Sequence, residues 1–293
     1  MAYPSTTTID NFNIENKDTS LVFTEYTSLT LVYANIIGVR EATENIQHNI
    51  VDGSLASLAP YSRGATLPKD PVNTTVVTEP FQRIGDAVVN DFANVENARG
   101  VSQLGQQGRS VEARILREVD DQFINGNGTP PNLTGIDGRA DATIDASSAA
   151  LTLAMLYQLR YSVNPASEEG LGWGANAFIC HPDTIQKVMA LLGTDIGAMQ
   201  WVYRQDLNVS VPNFLGCDVI ADQNVSTSKI YALNWDHVYI YYAENDQYPA
   251  NKFGVVYTSI PMQGDVSELG VNISWTGAFR NDPGAIARLI NFT

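Results

Sequence analysis

Small and apolar side chains between residues 98 and 123 recur every three or four positions: Ala98, Val101, Leu104 or Gly105, Gly108, Val111, Ile115, Val119 and Phe123. That is the spacing of one helical face. Arg99, Arg109, Arg114, Arg117, Glu118 and Asp121 fall on the opposite face. No proline interrupts the pattern, and Asn125-Gly126-Asn127-Gly128 offers left-handed C-cap positions that stop it. The spacing predicts a single helix from Glu96 to Phe123, about 28 residues and roughly 40 Å, where a mean helix has about 11–12 residues. A helix of that length is a spine on which other elements are hung.

Upstream the period changes from helical to alternating. Ile46, His48 and Ile50, and again Val72, Thr74 and Val76, predict strands over Thr43–Val51 and Thr74–Phe81, with Gly53, Pro60, Gly64, Pro68 and Pro71 between them. The pair reads as a long hairpin, which is at best marginally stable unless something covers it. Residues 1–35 hold no sustained period and read as an extended arm, with a short helix or strand near Ser28–Asn35 whose apolar residues await a neighbour. Downstream, a helix is expected from Ser147 or Ser148 to Val163, then a buried strand at Ala175–Cys180. A helix starting at Pro182 and ending at Gly193 follows, with proline at home in its first turn. The rest reads as strands: Cys217–Ala221, Lys229–Leu233, Val238–Tyr242, Lys252–Ile260, Val266–Trp275 and Ala285–Asn291.

Charge narrows the function. Against 17 basic residues stand 32 acidic ones, a net charge of −15, which argues against a surface built to grip phosphate and leaves room only for a local basic patch. No apolar run approaches a membrane span, and the start of the chain has neither the basic nor the apolar part of a signal peptide. Cys180 and Cys217 read as free thiols in a reducing compartment.

Candidate chemistry is sparse. His48, His181 and His237 fall in a hairpin, at a helix start and beside a strand, with no Gly-x-Ser-x-Gly motif to converge on. Cys180 and His181, with Asp183, suggest a metal site, but neighbours on a strand point to opposite faces. Gly126-Asn-Gly-Thr129 lacks the Gly-Lys-Ser/Thr ending of a phosphate loop and follows a helix instead of opening one. No catalytic residue, metal or cofactor is expected.

Several motifs come in a telling order. The spine closes in Asn-Gly-Asn-Gly-Thr with Leu133-Thr-Gly-Ile136 after it; Phe178-Ile-Cys-His-Pro and Phe214-Leu-Gly-Cys-Asp-Val219 follow, and Phe279-Arg280-Asn281-Asp282-Pro283-Gly-Ala285 precedes the final strand. This series resembles the major capsid proteins of tailed bacteriophages, whose fold is named after phage Hong Kong 97. The resemblance implies an α+β fold with an amino-terminal arm (1–38), an extended β-hairpin loop (39–84) and a peripheral domain carrying the spine helix (85–147). An axial α/β domain (148–233) and return strands of the peripheral domain (234–293) complete it.

It also implies a non-catalytic subunit that self-assembles, as pentamers and hexamers, into the icosahedral shell around a double-stranded DNA genome. The implied partners are further copies of the chain, a portal protein, a separate scaffolding protein and a decoration protein; DNA is enclosed without sequence-specific binding and no membrane is involved. With no long acidic coiled coil ahead of the arm, a covalent scaffolding segment is not expected, and assembly is expected to use a separate scaffolding protein or none. Arg63, Lys69, Arg99, Arg109, Arg114 and Arg117 are the candidate inter-subunit contacts. The family's type member crosslinks a hairpin lysine to an asparagine with a glutamate as proton acceptor. Lys69 and Asn272 stand at the first two positions here, but the third, seven residues after Asn272, is Phe279. The rival readings are an encapsulin-type nanocompartment shell and, from another class, a soluble enzyme or carbohydrate-binding β protein.

Overall fold

A computed structural model describes residues 29–40, 45–51, 74–91, 98–165, 174–193, 199–204, 209–214, 216–244, 250–251, 253–260 and 268–293. Two sheets and one long helix organise them. The helix, α2 (Ala98–Asn125), follows a short α1 (Leu29–Tyr33). It buries Val111, Ile115, Leu116, Val119, Phe123 and Ile124, so the predicted stripe is its packed face, widened by Leu116 and Ile124. Glu112 and Asp120 are buried on that face as well.

The first sheet has five strands: β1 (Asn35–Arg40), β4 (Gln82–Asp91), β11 (Val238–Glu244), β12 (Val255–Ile260) and β13 (Glu268–Asn281). The 14-residue β13 is the common strand, pairing with β11 near its end and with β12 and β4 along its first part. Val88, Val255, Ile273, Trp275 and Phe279 join α2 in one core.

The second sheet has seven strands in the order β5 (Ala142–Asp145), β14 (Ile286–Ile290), β10 (Lys229–Leu233), β6 (Ala177–Cys180), β9 (Cys217–Ala221), β8 (Val209–Phe214) and β7 (Met199–Arg204). Strand alternation splits it between two cores. Ala177, Ile179, Ile220, Tyr231 and Leu233 face the core of the long helix. Phe178, Cys180, Val219, Ile230 and Ala232 face a second core, closed by Leu156, Leu159 and Val163 of the α4 segment (α4, Leu153–Ser162) and Val188 of α5 (Pro182–Gly193). A sheet covered on both faces has no polar side, which is why β6 reads as an unbroken apolar run, β9 is broken only by the buried Asp218, and β10 is apolar after Lys229.

Three differences from the sequence reading have local causes. The helix expected from Ser147 or Ser148 begins at Leu153, because both serines take left-handed backbone, with φ of 51° and 65°. Asp145 accepts a hydrogen bond from the Ser147 amide, Ser148 donates to the Asn291 carbonyl, and Thr152 supplies the cap. Leu31, expected to await a neighbouring copy, is buried in its own chain, and Thr30 beside it donates to the buried carboxylate of Asp222. β1, β4, β5, β7 and β8 were not anticipated. Segments such as Gln82-Arg-Ile-Gly-Asp-Ala-Val-Val lack alternation and owe their extended form to pairing, here ten successive pairs with β13. Sheet membership also cuts across the expected division at Leu233, since β14 lies inside the seven-stranded sheet.

Candidate assembly surface

A pair of strands leaves the five-stranded sheet. β2 (Asn45–Val51) and β3 (Thr74–Pro80) pair antiparallel, from Val51 opposite Thr74 to Asn45 opposite Pro80, and neither has another strand partner among the described residues. β3 runs into β4 with one break at Phe81, directly after Pro80, which has no amide proton for a ladder. The ribbon is thus an outgrowth of the sheet edge. Its base is held by Arg139 of α3 (Ile136–Arg139), whose guanidinium donates two 2.8 Å hydrogen bonds to the two carboxylate oxygens of Glu79. The side chains of Arg139 and Glu79 are 13% and 14% exposed. Arg139 also reaches Asn281 at the end of β13 and the Thr134 carbonyl, so ribbon, sheet and the turn after the spine meet on one cation.

That turn is fixed in its own right. Gly126 does not end α2 by turning left-handed: it admits a close approach, because a Cβ there would lie 2.3 Å from the Leu133 carbonyl oxygen and 2.4 Å from that of Gln122. Gly128 does take left-handed backbone, φ 70°. Asn127 and Thr134 bridge across the turn, and Gly135 donates to the Gly126 carbonyl. The chain then delivers Asp137 to the second sheet. Its carboxylate accepts from Lys229 at 2.9 and 3.0 Å, from the Tyr231 hydroxyl at 2.8 Å and from Arg288 at 3.0 Å. Burial pushes its acidity the other way, but these donors prevail and hold the carboxyl below its usual range.

The spine carries two further anchors. Glu112 accepts from the Tyr257 hydroxyl and from the Asn251 amide, joining the helix to β12 and the segment before it. Burial is the largest influence on Glu112 and raises its pKa despite these donors and the nearby Arg109. Asp120 accepts from Asn224, whose carbonyl accepts from Asn125, so the end of the helix is tied to the loop after β9.

The residues singled out from the sequence sort unevenly. Arg63 and Lys69 lie outside the described residues, and Arg99 is placed in α2 by its backbone alone. Arg114 pairs with Asp86 of β4 in its own chain, with side chains 62% and 50% exposed, a pair worth little in stability. Arg117 is exposed and Arg109 half-buried. Asn272 lies in β13 opposite Thr258, and Phe279 is 2% exposed, edge-on to Phe123 at 5.2 Å. A core aromatic thus stands where the crosslinking glutamate would. His181 accepts from the Asp183 amide at the start of α5, and the Cys180 thiol, pushed up to about 12 by burial, is enclosed in the second core. His237 pairs with Asp282 at 3.0 Å. His48 falls in β2, so the three histidines sit on separate elements.

The sequence reading missed Glu79, Arg139, Asp137, Glu112 and Asp120. Only the last two left a mark: Glu112 and Asp120, eight residues apart, lie on the apolar stripe of the spine, where an unpaired carboxylate is costly.

Comparison with known proteins gives a family likeness and a shared fold. The model of the phage capsid family matches residues 109–248, from the middle of the spine to just beyond β11. The fold agrees over nearly the whole chain. The capsid of cyanophage A-1(L) superposes with a TM-score of 0.67 at 15% identity, covering 93% of each chain. The capsid of an empty GTA particle gives 0.65 at 13% identity, covering 92% of this chain and 90% of that one. The SrpI encapsulin complex of Synechococcus elongatus gives 0.66 at 13% identity, covering 90% and 87%. None of the curated proteins matches the sequence. The chain therefore has the Hong Kong 97-like capsid fold, and among the described residues no helix is long and apolar enough to cross a membrane.

Proposed function

We infer that the chain is a major capsid protein, the structural subunit of an icosahedral phage shell. The observation that carries this is the family match set within a chain-long capsid fold. In this reading copies gather as pentamers and hexamers in the host cytoplasm and enclose double-stranded DNA without reading its sequence. A charge of −15 per copy keeps the wall from gripping phosphate. The lone two-stranded ribbon supports the reading, because such a ribbon is marginal in water and finds cover on a neighbouring copy. Arg63, Lys69, Arg99, Arg109 and Arg117 meet neighbouring copies, and Arg114 exchanges its exposed bond to Asp86 for one between chains. The subunit performs no catalysis, and its assembly uses a portal protein, a separate scaffolding protein and a decoration protein.

The test is to produce the chain together with the other structural proteins of its virion and examine the product by sedimentation and electron microscopy. Closed shells of megadalton mass are expected; a monomer or small oligomer overturns the reading in favour of a soluble enzyme or carbohydrate-binding protein. Regular shells from the chain alone remove the scaffold from the scheme. The likeness to an encapsulin complex favours a second reading, a cellular nanocompartment. Nuclease-protected genomic DNA inside shells from the native source separates the two.

A further inference from the structure

The chain has two Asn-Gly dipeptides, side by side at the end of the spine: Asn125-Gly126 and Asn127-Gly128. Both asparagines are exposed. In such a dipeptide the glycine nitrogen, once it has given its proton to base, attacks the asparagine Cγ. The Cγ–Nδ2 bond breaks, the amide nitrogen takes up a proton and leaves as ammonia, and a cyclic imide remains. Water then opens the imide at one carbonyl or the other, leaving aspartate or its isomer whose backbone runs through Cγ. Nothing is oxidised or reduced, and glycine favours the attack because it has no Cβ to block the approach.

The fold withholds this chemistry at both positions. The Gly126 amide donates to the Gln122 carbonyl at 3.0 Å and the Gly128 amide to the Leu133 carbonyl at 2.9 Å, so each attacking nitrogen keeps its proton engaged. The side chains are held as well. Asn125 Nδ2 donates to Asp121 and to the Asn224 carbonyl, both at 2.8 Å. Asn127 Oδ1 accepts from the Thr129 amide at 2.9 Å and from Asn132 at 3.2 Å. An amide bonded in this way gives up its proton only when the segment opens, and attack on Cγ waits on the same opening.

Conversion has unequal consequences at the two positions. At Asn125 a carboxylate replaces the Nδ2 donor and faces two acceptors, Asp121 and the Asn224 carbonyl, at the carboxyl end of a 28-residue helix, where negative charge is unfavourable. The tie between the spine and the loop after β9 is then lost. At Asn127 the side chain acts as an acceptor, so an aspartate keeps both of its bonds.

We propose that this turn is a gated deamidation site: Asn125 and Asn127 remain amides while the end of the spine is closed, and conversion of Asn125 on opening weakens its closure for good. The test keeps the full-length wild-type chain in mildly alkaline buffer, folded in one arm and in urea in the other, and follows both asparagines in the tryptic peptide 118–139 by fragmentation mass spectrometry. Both are expected to convert in urea, and at least about tenfold more slowly in the folded chain, because the reaction waits on opening. Equal rates in the two arms, or no conversion in urea, overturn the gate. Thermal melts of N125D, N125A and N127D test the consequence. N125D is expected to melt below N125A, which loses the same two bonds without gaining a charge, while N127D stays close to wild type. N125D melting at or above N125A overturns the one-way part of the proposal. Neither measurement depends on whether the chain forms shells.

Discussion

Replacing Arg139 by Ala separates what holds the β2–β3 ribbon from what holds the fold. Arg139 makes both of its 2.8 Å bonds to Glu79, and the two side chains are 13% and 14% exposed. Removing one member of a well-buried pair costs about 3–5 kcal/mol, because the other charge is left unpaired. Residual access to water lowers this to about 2 kcal/mol, roughly a thirtyfold increase in opening, since about 1.4 kcal/mol is a factor of ten. The loss falls on the ribbon's base and not on either core, since Glu79 belongs to β3 and neither residue lines a core cluster. Hydrogen exchange on dissociated subunits is expected to show amides in 45–51 and 74–80 exchanging about thirtyfold faster, with the main melting transition little moved and shell yield reduced. The double variant E79A/R139A should recover part of the protection, because it leaves no unpaired charge. Unchanged ribbon protection in R139A, or a double variant worse than the single one, refutes this account of the clamp.

Three more outcomes follow from the same packing. Because burial raises the Glu112 pKa, its ionised form costs stability above that raised value, and the cost is relieved as pH falls towards the usual 4.5. E112Q keeps an acceptor for Asn251 and offers Tyr257 a donor, so the variant's melting temperature should exceed wild type near neutrality and lack the wild-type rise on mild acidification. Asp137 has the opposite sign: its lowered pKa stabilises the fold above the usual 3.8 and the benefit is lost as pH falls through the lowered value. Acid melts of D137N should therefore start from lower stability at neutrality and lose less below pH ~4. G126A places a methyl within 2.4 Å of two carbonyl oxygens; it should cost about 2–4 kcal/mol in denaturant titrations by forcing the spine and the 133–135 segment apart.

What the sequence made legible was whatever a local period encodes. The spine stripe gave α2 to within two residues at each end, Pro182 and Gly193 bracketed α5, and the strands at 217–221 and 229–233 match in both bounds. The ribbon strands were equally clear, from alternation between breakers. What stayed hidden depends on partners distant in sequence. β4 is a strand because β13, some 180 residues later, supplies its ladder. Ser147 and Ser148 leave the helical region because the last residues of the chain return beside them. The Arg139–Glu79 pair spans sixty residues, and nothing in either neighbourhood points to the other.

The same separation decides which sites a sequence can reveal in a protein of this kind. An enzyme gathers a few reactive groups whose types and spacing betray the chemistry. A shell subunit works by holding surfaces at fixed angles, and the groups that fix them are ordinary ones placed where elements cross. Arg139 lies at the crossing of ribbon, sheet and turn, and Asp137, two residues earlier, at the crossing of turn and second sheet. Both are carried by the four-residue helix that follows the Gly126 turn. The turn is therefore more than the end of the spine: through these two residues it is tied to the ribbon, the first sheet and the second sheet. A change at Gly126 should accordingly disturb Asp137 and Arg139 together, so G126A is expected to raise ribbon exchange as R139A does while also lowering the melting transition that R139A leaves in place. Ribbon protection intact in a destabilised G126A subunit would show that the turn and the clamp act independently.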